Sequence, residues 1–247
     1  MNMVMACWTI LTTVLDTMVF CVPVIIAAIL NRTGRAPYWL GRIWAWLLMK
    51  TNRVKIQIEG MDKVIKNCSY VFIANHVSNL DPPAMLVALK NPLRFVTKKS
   101  LTKIPVFGIA IRLARMIIID RDDSKSAREA INRAVQDLKG GISAFFFAEG
   151  TRSLDGQLQK FKKGGIILAL KAKLPIVPIT IVGSYKLLPK NALRIKAGVM
   201  KIIIGDPIDT TAYTENDKDD LLEKVRSVIR GNLERMHLSL SSNNCRQ

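Results

Sequence analysis

Short apolar runs that alternate with helical stretches occupy this 247-residue chain from about residue 54 onward, and they constrain its fold most strongly. Seven runs are rich in Val, Ile and Phe and predict β-strands at residues 54–58, 70–74, 94–97, 116–119, 144–148, 176–182 and 201–204. Strands that alternate with helices pack as a sheet covered by helices. The sequence therefore predicts an α/β fold with a central mixed sheet flanked by helices.

Three of the intervening stretches carry apolar residues at helical spacing and predict helices. The first begins with Ser124 as its N-cap and is ended by Gly140, and the other two cover residues 164–172 and 216–236. The residues that follow the last helix are polar, and we expect them to fray. The predicted divisions are an N-terminal membrane-associated segment, an α/β domain and a polar tail, at residues 1–53, 54–238 and 239–247.

Residues 4–30 form a nearly continuous apolar run in which Asp16 is the one charged residue. As a helix this run would extend roughly 40 Å, which is enough to cross the hydrocarbon core of a bilayer. However, Asp16 near the bilayer centre would cost about 3 kcal/mol, and Pro23 would kink the helix. No basic region precedes the run, so it does not predict a secretory signal.

A second apolar stretch, residues 38–49, is too short to span a bilayer. It contains tryptophans, which prefer the head-group level, and basic residues surround it: Trp39, Trp44 and Trp46, with Arg32, Arg35, Arg42, Lys50 and Arg53. We therefore favour two helices embedded in one leaflet over a transmembrane helix, and a buried hairpin of a soluble protein is the third alternative. If the first helix spans, the positive flank places the rest of the chain in the cytoplasm.

Lysine and arginine outnumber acidic residues by 37 to 19, which gives the chain a formal charge of +18 at pH 7. Such an excess attracts an anionic partner: nucleic acid, phospholipid head groups or an acidic carrier. Nucleic acid is disfavoured because aromatic residues are only 6% of the chain and show no RNP-type pattern. The four cysteines are scattered without metal-ligand spacing, so we predict free thiols and no metal site.

One of two histidines stands at the end of the apolar run in residues 71–83, VFIANHVSNLDPP. The sequence predicts a strand to Ala74, a loop, and a helix that opens with Asp81 as N-cap and Pro82 as its first residue. Such a turn folds Asp81 back toward His76, where a carboxylate fixes the ring tautomer and leaves the other nitrogen able to accept a proton. The alternative is that Asp81 only caps the helix and His76 only ends the strand.

A general base of this kind needs a hydroxyl to act on, and the chain offers no G-x-S-x-G elbow. Ser78 lies between His76 and Asp81, but we predict that it is a turn residue. The base would therefore act directly on a substrate hydroxyl. This favours one-step group transfer without a covalent enzyme intermediate.

Three further stretches accompany the block at residues 75–81 (NHVSNLD), namely residues 118–121 (IIDR), 147–153 (FAEGTRS) and 176–179 (IVPI). In this order and spacing the four blocks resemble those of the glycerophospholipid acyltransferases, most closely the bacterial 1-acylglycerol-3-phosphate acyltransferases. The resemblance extends from about residue 55 to residue 210. Ala148 departs from the pattern, because the family usually has proline there, and we expect a slightly altered turn before Glu149.

The resemblance implies transfer of a fatty acyl group from a thioester donor, acyl-CoA or acyl carrier protein, to the sn-2 hydroxyl of lysophosphatidic acid, which gives phosphatidic acid. His76 would take the hydroxyl proton, and Asp81 would orient and charge-balance His76. No cofactor is implied besides the donor substrate. We expect a membrane-associated enzyme on the cytoplasmic face, which in a bacterium is the inner membrane. Another lysolipid or glycerol 3-phosphate stays open as acceptor, and a non-catalytic basic membrane-surface module is the alternative.

The block Glu149-Gly150-Thr151-Arg152 follows a predicted strand, and we expect it at the carboxyl end of that strand, where ligands gather in α/β sheets. Gly150 permits close approach of the backbone, and Arg152 offers a bidentate fork to a phosphate. Glu149 would repel a phosphate, so we expect it to hold Arg152 or another cation in place. The block therefore predicts a phosphate-binding loop.

Further cations follow other predicted strands: Lys98 and Lys99 come after one strand, and Arg121 comes after another. The resemblance implies that a lysine at the position of Lys98 or Lys99 contributes to phosphate binding, and Arg121 is an additional candidate. A basic run occurs later in the chain: Lys160, Lys162, Lys163, Lys171 and Lys173. This run is either a solvated helix face or a contact surface for anionic head groups or for an acidic acyl carrier protein.

Overall fold

A computed structural model describes residues 2–31, 33–138 and 140–244, so Arg32 of the predicted basic flank lies outside the described residues. The strands are β1 (Val54–Glu59), β2 (Val71–Ala74), β3 (Leu93–Lys98), β4 (Ile117–Ile119), β5 (Ser143–Phe147), β6 (Ile176–Val182) and β7 (Gly198–Ile204). They form one sheet in the order β1-β7-β6-β2-β5-β3-β4. Neighbouring strands run parallel, except that β6 and β7 are antiparallel. The predicted mixed α/β sheet is therefore confirmed.

The helices are α1 (Asn2–Leu30), α2 (Arg35–Thr51), α3 (Asp81–Ala88), α4 (Phe107–Leu113), α5 (Ser124–Asp137), α6 (Gly164–Ala172), α7 (Ser184–Leu187) and α8 (Lys218–Asn244). Short 3₁₀ turns occur at Met61–Lys63, Lys99–Lys103 and Glu215–Asp217. The sequence predicted α6 with its observed bounds. It did not predict the short α4 and α7, whose apolar residues are too few to define a helical period.

The bounds of two helices, α5 and α8, differ from the sequence prediction. The N-cap of α5 is Asp123 rather than Ser124, because the Asp123 carboxylate accepts hydrogen bonds from the amides of Lys125 and Ser126 at 3.0 and 3.1 Å. The same helix ends at Asp137, before Gly140. Helix α8 continues to Asn244, so the segment from residue 239 that was expected to fray is helical as far as the structure describes it.

Helices cover both faces of the sheet, and alternate strand residues point to opposite sides. Phe72 and Ala74 of β2 pack with α2, α3 and α7, whereas Val71 and Ile73 pack with α5, α6 and α8. Burial on both faces explains why the central strands read as continuous apolar runs rather than alternating ones. The carboxyl ends of β2, β5, β3 and β4 consequently meet at one edge of the sheet.

The N-terminal helices α1 and α2 pack against each other, and α2 also packs on α3. The Tyr38 hydroxyl, buried beneath α2, donates to the carbonyl of Leu89 at 2.7 Å, and Arg42 donates to the same carbonyl. The opposite face of α2 exposes Trp39 and Trp46. Helix α2 is therefore an amphipathic cover of the α/β core as well as part of the predicted N-terminal pair.

Helix α1 continues through Asp16 and Pro23 without interruption. Its residues Leu11–Leu30 are long and apolar enough to cross a membrane, by length and composition alone, and only 11% of that window is buried within the protein. The depth of this helix in a bilayer stays a prediction.

Candidate active site

The loop between β2 and α3 brings His76 and Asp81 into direct contact. The ring Nδ1 of His76 lies 2.9 Å from Oδ2 of Asp81, although the two residues are five positions apart. The Asp81 side chain is completely buried, whereas 15% of the His76 side chain is exposed. The predicted closure of this loop is confirmed, and it leaves the imidazole accessible at one edge.

Asp81 is held by the loop rather than by the helix that it begins. Its Oδ2 also accepts hydrogen bonds from the amides of Val77 and Ser78, both at 2.8 Å. The prediction that Asp81 is the N-cap was wrong: Leu80 occupies that position, and Asp81 is the first helical residue, with its carboxylate turned back over the loop. Three donors thus converge on one oxygen and fix its position beside the ring.

The contact with Asp81 determines which ring nitrogen can act on a substrate. An ionised carboxylate only accepts hydrogen bonds, so Nδ1 of His76 carries the proton and Nε2 keeps its lone pair. Within the described residues, Nε2 has no hydrogen-bond partner. The ring of Phe147 stacks on the imidazole, with centroids 4.0 Å apart and planes inclined by 21°. This stacking holds the ring plane while Asp81 holds its rotation.

Two buried polar residues fasten the loop to its surroundings. The Ser78 hydroxyl donates to the carbonyl of Leu188 at 2.8 Å and accepts from the amide of Leu80 at 3.1 Å, as its predicted role in the turn requires. The Asn75 side chain bonds to both the amide and the carbonyl of Ile181 in the neighbouring strand, at 2.8 and 2.9 Å. These bonds hold His76 at the end of β2 without any contribution from its own side chain.

Glu149 makes contacts other than those the sequence predicted. It is only 3% exposed, and its Oε1 and Oε2 accept hydrogen bonds from the amides of His76 at 2.9 Å and Gln159 at 3.4 Å. It forms no ion pair with any cation in the described parts of the chain, so the prediction that it holds Arg152 was wrong. Its partners are backbone amides instead of a cation. Glu149 therefore links the loop after β5 to the main chain of the loop after β2.

Burial raises the pKa of Glu149 from its ordinary 4.5 to about 7. The hydrogen bonds from the two backbone amides lower this pKa in part, and the nearby carboxylates of Asp81 and Asp155 raise it further. A group with this pKa changes its charge near neutral pH.

The loop after β5 lies against the histidine loop. The amide of Ser153 donates to the carbonyl of His76 at 2.9 Å. Arg152, directly before it, is half-buried and donates from Nη1 to the carbonyl of Lys190 at 3.0 Å, and Thr151 is exposed. Gly150 has φ of +71°, and a Cβ there would lie 3.1 Å from Cδ of Lys162, so this glycine does permit a close approach.

The remaining predicted cations do not gather at His76. Lys98 and Lys99 are exposed at the end of β3, and Lys99 Nζ lies 3.0 Å from Oδ2 of Asp120. Arg121 instead lines a cavity of about 520 Å³ on the face of the sheet covered by α5, α6 and α8. Of the predicted cations, Arg152 is therefore the one whose loop contacts the histidine.

Sequence reasoning missed Phe147 as the stacking partner of the histidine. The parallel register pairs Ala74 with Phe147, which places the aromatic ring at the level where β2 ends. A prediction of that register would have found it. No group of three or more His, Cys, Asp or Glu side chains that could hold a metal ion occurs among the residues that the structure describes.

Comparison with known proteins relates this chain to one group of enzymes. Residues 55–182 match the model of the Acyltransferase family. The probable 1-acyl-sn-glycerol-3-phosphate acyltransferase of Mycoplasma genitalium is 32% identical over 196 residues, which cover 74% of this chain and 72% of that protein. The chloroplastic 1-acyl-sn-glycerol-3-phosphate acyltransferase of Arabidopsis thaliana is 34% identical over 173 residues, which cover 69% of this chain and 48% of that protein.

This chain spans about half the length of the chloroplastic relatives that it matches. The crystal structure of the 1-acyl-sn-glycerophosphate acyltransferase from Thermotoga maritima superposes with a TM-score of 0.80, covering 96% of this chain and 98% of that one. The sequence identity to this structure is 24%, so the superposition shows a shared fold.

Proposed function

Since this chain belongs to the Acyltransferase family, we propose that it transfers a fatty acyl group from a thioester donor to the sn-2 hydroxyl of 1-acylglycerol 3-phosphate. The product is phosphatidic acid. The names of the bacterial and plant relatives support this acceptor. The observation that carries the mechanism is the 2.9 Å contact between His76 and Asp81, beside a ring nitrogen that can accept a proton.

His76 acts as the general base. Its Nε2 takes the proton of the acceptor hydroxyl while that oxygen attacks the carbonyl carbon of the thioester. The tetrahedral intermediate then collapses, the carbon–sulfur bond breaks, and the departing thiolate takes the proton back from the imidazolium. Asp81 stabilises the imidazolium between these steps and keeps Nε2 directed at the substrate. Ser78 is engaged with the main chain on both sides, which supports direct transfer without an acyl-enzyme.

Arg152 binds the phosphate of the acceptor. The phosphate of 1-acylglycerol 3-phosphate is on the carbon next to the reacting hydroxyl, so its binding group must lie close to His76. The bond from the Ser153 amide to the His76 carbonyl supports this role, because it holds the loop of Arg152 against the histidine loop. A guanidinium retains further N–H donors when one of them bonds to the Lys190 carbonyl, and these can bind phosphate oxygens.

The protein binds the membrane through a surface that α1, α2 and α4 form, which is called the membrane-binding surface below. Helix α4 packs against α1, and the three helices expose large apolar side chains: Val19, Ile26, Ile29, Trp39, Ile43, Trp46 and Ile109. Lys50 lies 4.7 Å from the ring of Trp46, and Arg42 lies 5.6 Å from the ring of Trp39. A cation over an indole suits the head-group level, where the ring meets lipid and the charge meets phosphate.

The proposed reaction is tested with purified protein, lysophosphatidic acid and a panel of acyl-CoA and acyl carrier protein donors. His76→Ala should lower turnover by roughly 100-fold or more, because the general base is lost. His237→Ala, which removes the other histidine of the chain, is the matched control and should keep full turnover. Unchanged turnover in His76→Ala, or acylation of other acceptors but not of lysophosphatidic acid, would contradict the proposal.

The membrane-binding surface of the protein is tested by flotation of the full chain with vesicles of anionic phospholipid. A Val19→Lys/Ile26→Lys variant should float less, since a charge deep in a bilayer costs roughly 3 kcal/mol. Leu193→Lys introduces a single lysine at an exposed apolar position outside the three helices, so it should float like the unaltered protein. Equal flotation of all three proteins would show that α1 does not enter the lipid.

A further inference from the structure

Strand β1 forms one edge of the central sheet and is largely open to solvent. Within the described residues it pairs with β7 alone, in parallel register. Four of its six residues are exposed: Lys55, Gln57, Ile58 and Glu59. The strand at the opposite edge, β4, has only three residues. β1 is therefore the longer of the two edge strands.

Every second residue of β1 directs its backbone amide and carbonyl away from β7. The amide of Gly198 donates to the carbonyl of Arg53 at 3.2 Å, so the alternate residues Val54, Ile56 and Ile58 direct their backbone groups outward. In the part of the chain that the structure describes, these outward groups bond to no other protein group. Such a row of backbone donors and acceptors is a template for another strand.

The side chains of β1 do not protect this edge from a second copy of the same strand. β1 contains no proline, and its register with β7 is unbroken over all six residues. An edge lysine repels a partner strand that places another lysine opposite it, but not one that places a carboxylate there. The lysine of β1, Lys55, is followed four residues later by Glu59, with Gln57 midway between them. The strand is therefore complementary in charge to its own reversed sequence.

Two copies of β1 match when they run antiparallel about Gln57. In that register Lys55 of each copy lies opposite Glu59 of the second copy, and Ile56 lies opposite Ile58. The two isoleucines exchange the outward backbone hydrogen bonds. The lysine and the glutamate form the alternate kind of pair, in which side chains approach more closely.

The neighbouring registers lose these ion pairs. A register centred on Ile56 would need Arg53 opposite Glu59, but Arg53 has φ of +53° and lies before the strand. A register centred on Ile58 would leave Lys55 opposite the turn that follows the strand. The charges therefore select the register with the glutamine at its centre.

The side chains at this edge are available for the contacts of that register. Ile58 is 40% exposed, and an isoleucine of the second copy would cover it. Glu59 lies 2.8 Å from Lys201 and 3.4 Å from Arg235 of its own chain. Its side chain nevertheless stays 47% exposed, and a carboxylate can accept about four hydrogen bonds, so it can also bind a lysine of the second copy. Lys55 forms no ion pair with any described residue of its own chain.

We propose that β1 is a self-association surface, through which two copies of this chain join their sheets edge to edge. The two-fold axis passes between the two Gln57 residues, perpendicular to the sheet, so each face of one sheet continues into the same face of the other. Helix α2 packs on one face beside β1 and exposes Trp39 and Trp46 on its far side. The axis places α2 of both copies on the same side of the joined sheet. Both copies can therefore bind one bilayer.

The association takes place at the membrane. One pair of six-residue strands buries a small area, and interfaces of this size are weak in solution. Two copies confined to one bilayer meet at a high effective concentration, which compensates for the small area. The inference therefore rests on the membrane-binding surface of the proposed function, although it does not depend on the reaction. Addition of an unrelated strand to β1 without self-association is an outcome that overturns the proposal.

Cysteine cross-linking tests the register. The full chain, with its four native cysteines replaced by alanine, is bound to vesicles of anionic phospholipid and oxidised. Gln57→Cys should form disulfide-linked dimers, because the two Cα atoms at the centre of the register are about 4.5 Å apart. Lys55→Cys, on the same exposed face, is the matched control, since its two cysteines would be roughly 13 Å apart along the strands. Equal amounts of dimer in both variants, or none in Gln57→Cys, overturn the proposal.

A second measurement keeps the native cysteines. Energy transfer is recorded between two differently labelled copies of the full chain on the same vesicles. Lys55→Glu replaces two attractive pairs by two repulsive ones and should weaken the association by about tenfold or more. Lys66→Glu makes the same charge change at an exposed position outside β1 and should associate like the unaltered protein. Equal association of all three proteins overturns the proposal, as does equal weakening by both substitutions.

Flotation of the same samples separates the pairing of β1 from the membrane-binding surface. Protein that floats with the vesicles but does not cross-link at Gln57 refutes the pairing and leaves the membrane-binding surface standing. Protein that cross-links at Gln57 but does not float refutes the membrane-binding surface and leaves the pairing standing. Neither result depends on acyl transfer, so failure of the proposed reaction is distinguishable from both.

Discussion

Replacing Glu149 by glutamine should change how the stability of the fold depends on pH. The carboxyl group is 3% exposed and bonds to two backbone amides rather than to a cation. Its burial raises the pKa to about 7, and a glutamine has the same shape but no proton to lose. The substitution therefore isolates the cost of the charge while keeping an oxygen that accepts the bond from the amide of His76.

The sign and size of the effect follow from proton linkage. Between pH 4.5 and about 7 the folded state keeps a proton on Glu149 that the unfolded state has released, so stability falls as the pH rises. That interval corresponds to on the order of 3 kcal/mol at about 1.4 kcal/mol per pH unit. Relative to the unaltered protein, Glu149→Gln should gain this amount between pH 4.5 and pH 8. For a chain of this size the gain is roughly 6–12 °C in Tm.

The assay is thermal unfolding of the detergent-solubilised protein at pH 5, 6, 7 and 8, for both variants in the same buffers. Other titrating groups contribute equally to both proteins, so the difference between the two Tm values isolates Glu149. Glu129→Gln, at an exposed position of α5, is the control and should give a constant difference. A constant difference for Glu149→Gln, or one that shrinks with rising pH, would refute the account of a buried carboxyl group with a raised pKa.

Two further substitutions probe the roles of the site residues. Asp81→Asn should lower kcat by roughly 100-fold or more with little change in either KM, because an amide facing Nδ1 favours the wrong tautomer; unchanged kcat would mean that Asp81 only shapes the loop. Arg152→Ala should raise the KM for lysophosphatidic acid by about tenfold and leave the donor KM unaffected. An effect confined to the donor would place Arg152 at the other substrate.

The central strands β2, β5 and β6 could be predicted from the sequence because they are buried on both faces and therefore appear as unbroken apolar runs. The edge strand β1 instead alternates apolar and polar residues. β6 has its predicted bounds, the other strands differ from theirs by at most three residues, and β7 begins earlier than predicted, at Gly198. The missed end begins with Gly198, a residue type that is depleted in strands, and Val199 is exposed there, so its apolar pattern is weak. The order of the strands and their register depend on contacts between distant segments and were not predictable from local patterns.

The separation of residues along the chain also explains which contacts of the site could be predicted and which could not. His76 and Asp81 are five residues apart, so a local turn was enough to predict their contact. The contacts of Glu149 depend on the adjacency of two strands whose residues are 73 positions apart. From the sequence alone, the negative charge of Glu149 predicts an ion pair with Arg152 or another cation. In the structure its partners are backbone amides, because the parallel strands β2 and β5 end side by side at the edge of the sheet.

The strand order also explains how two substrates can reach one imidazole. β2 lies between β5 and β6, and Ala74 pairs with Phe147 on one side and Ile179 on the other. Since these strands are parallel, their carboxyl ends form one edge, with His76 near its middle. An acceptor whose phosphate is bound by Arg152 would present its hydroxyl at this edge, where a thioester can approach the exposed part of the imidazole. Direct attack of one on the other needs no protein nucleophile, which accounts for a site built on a histidine and an aspartate alone.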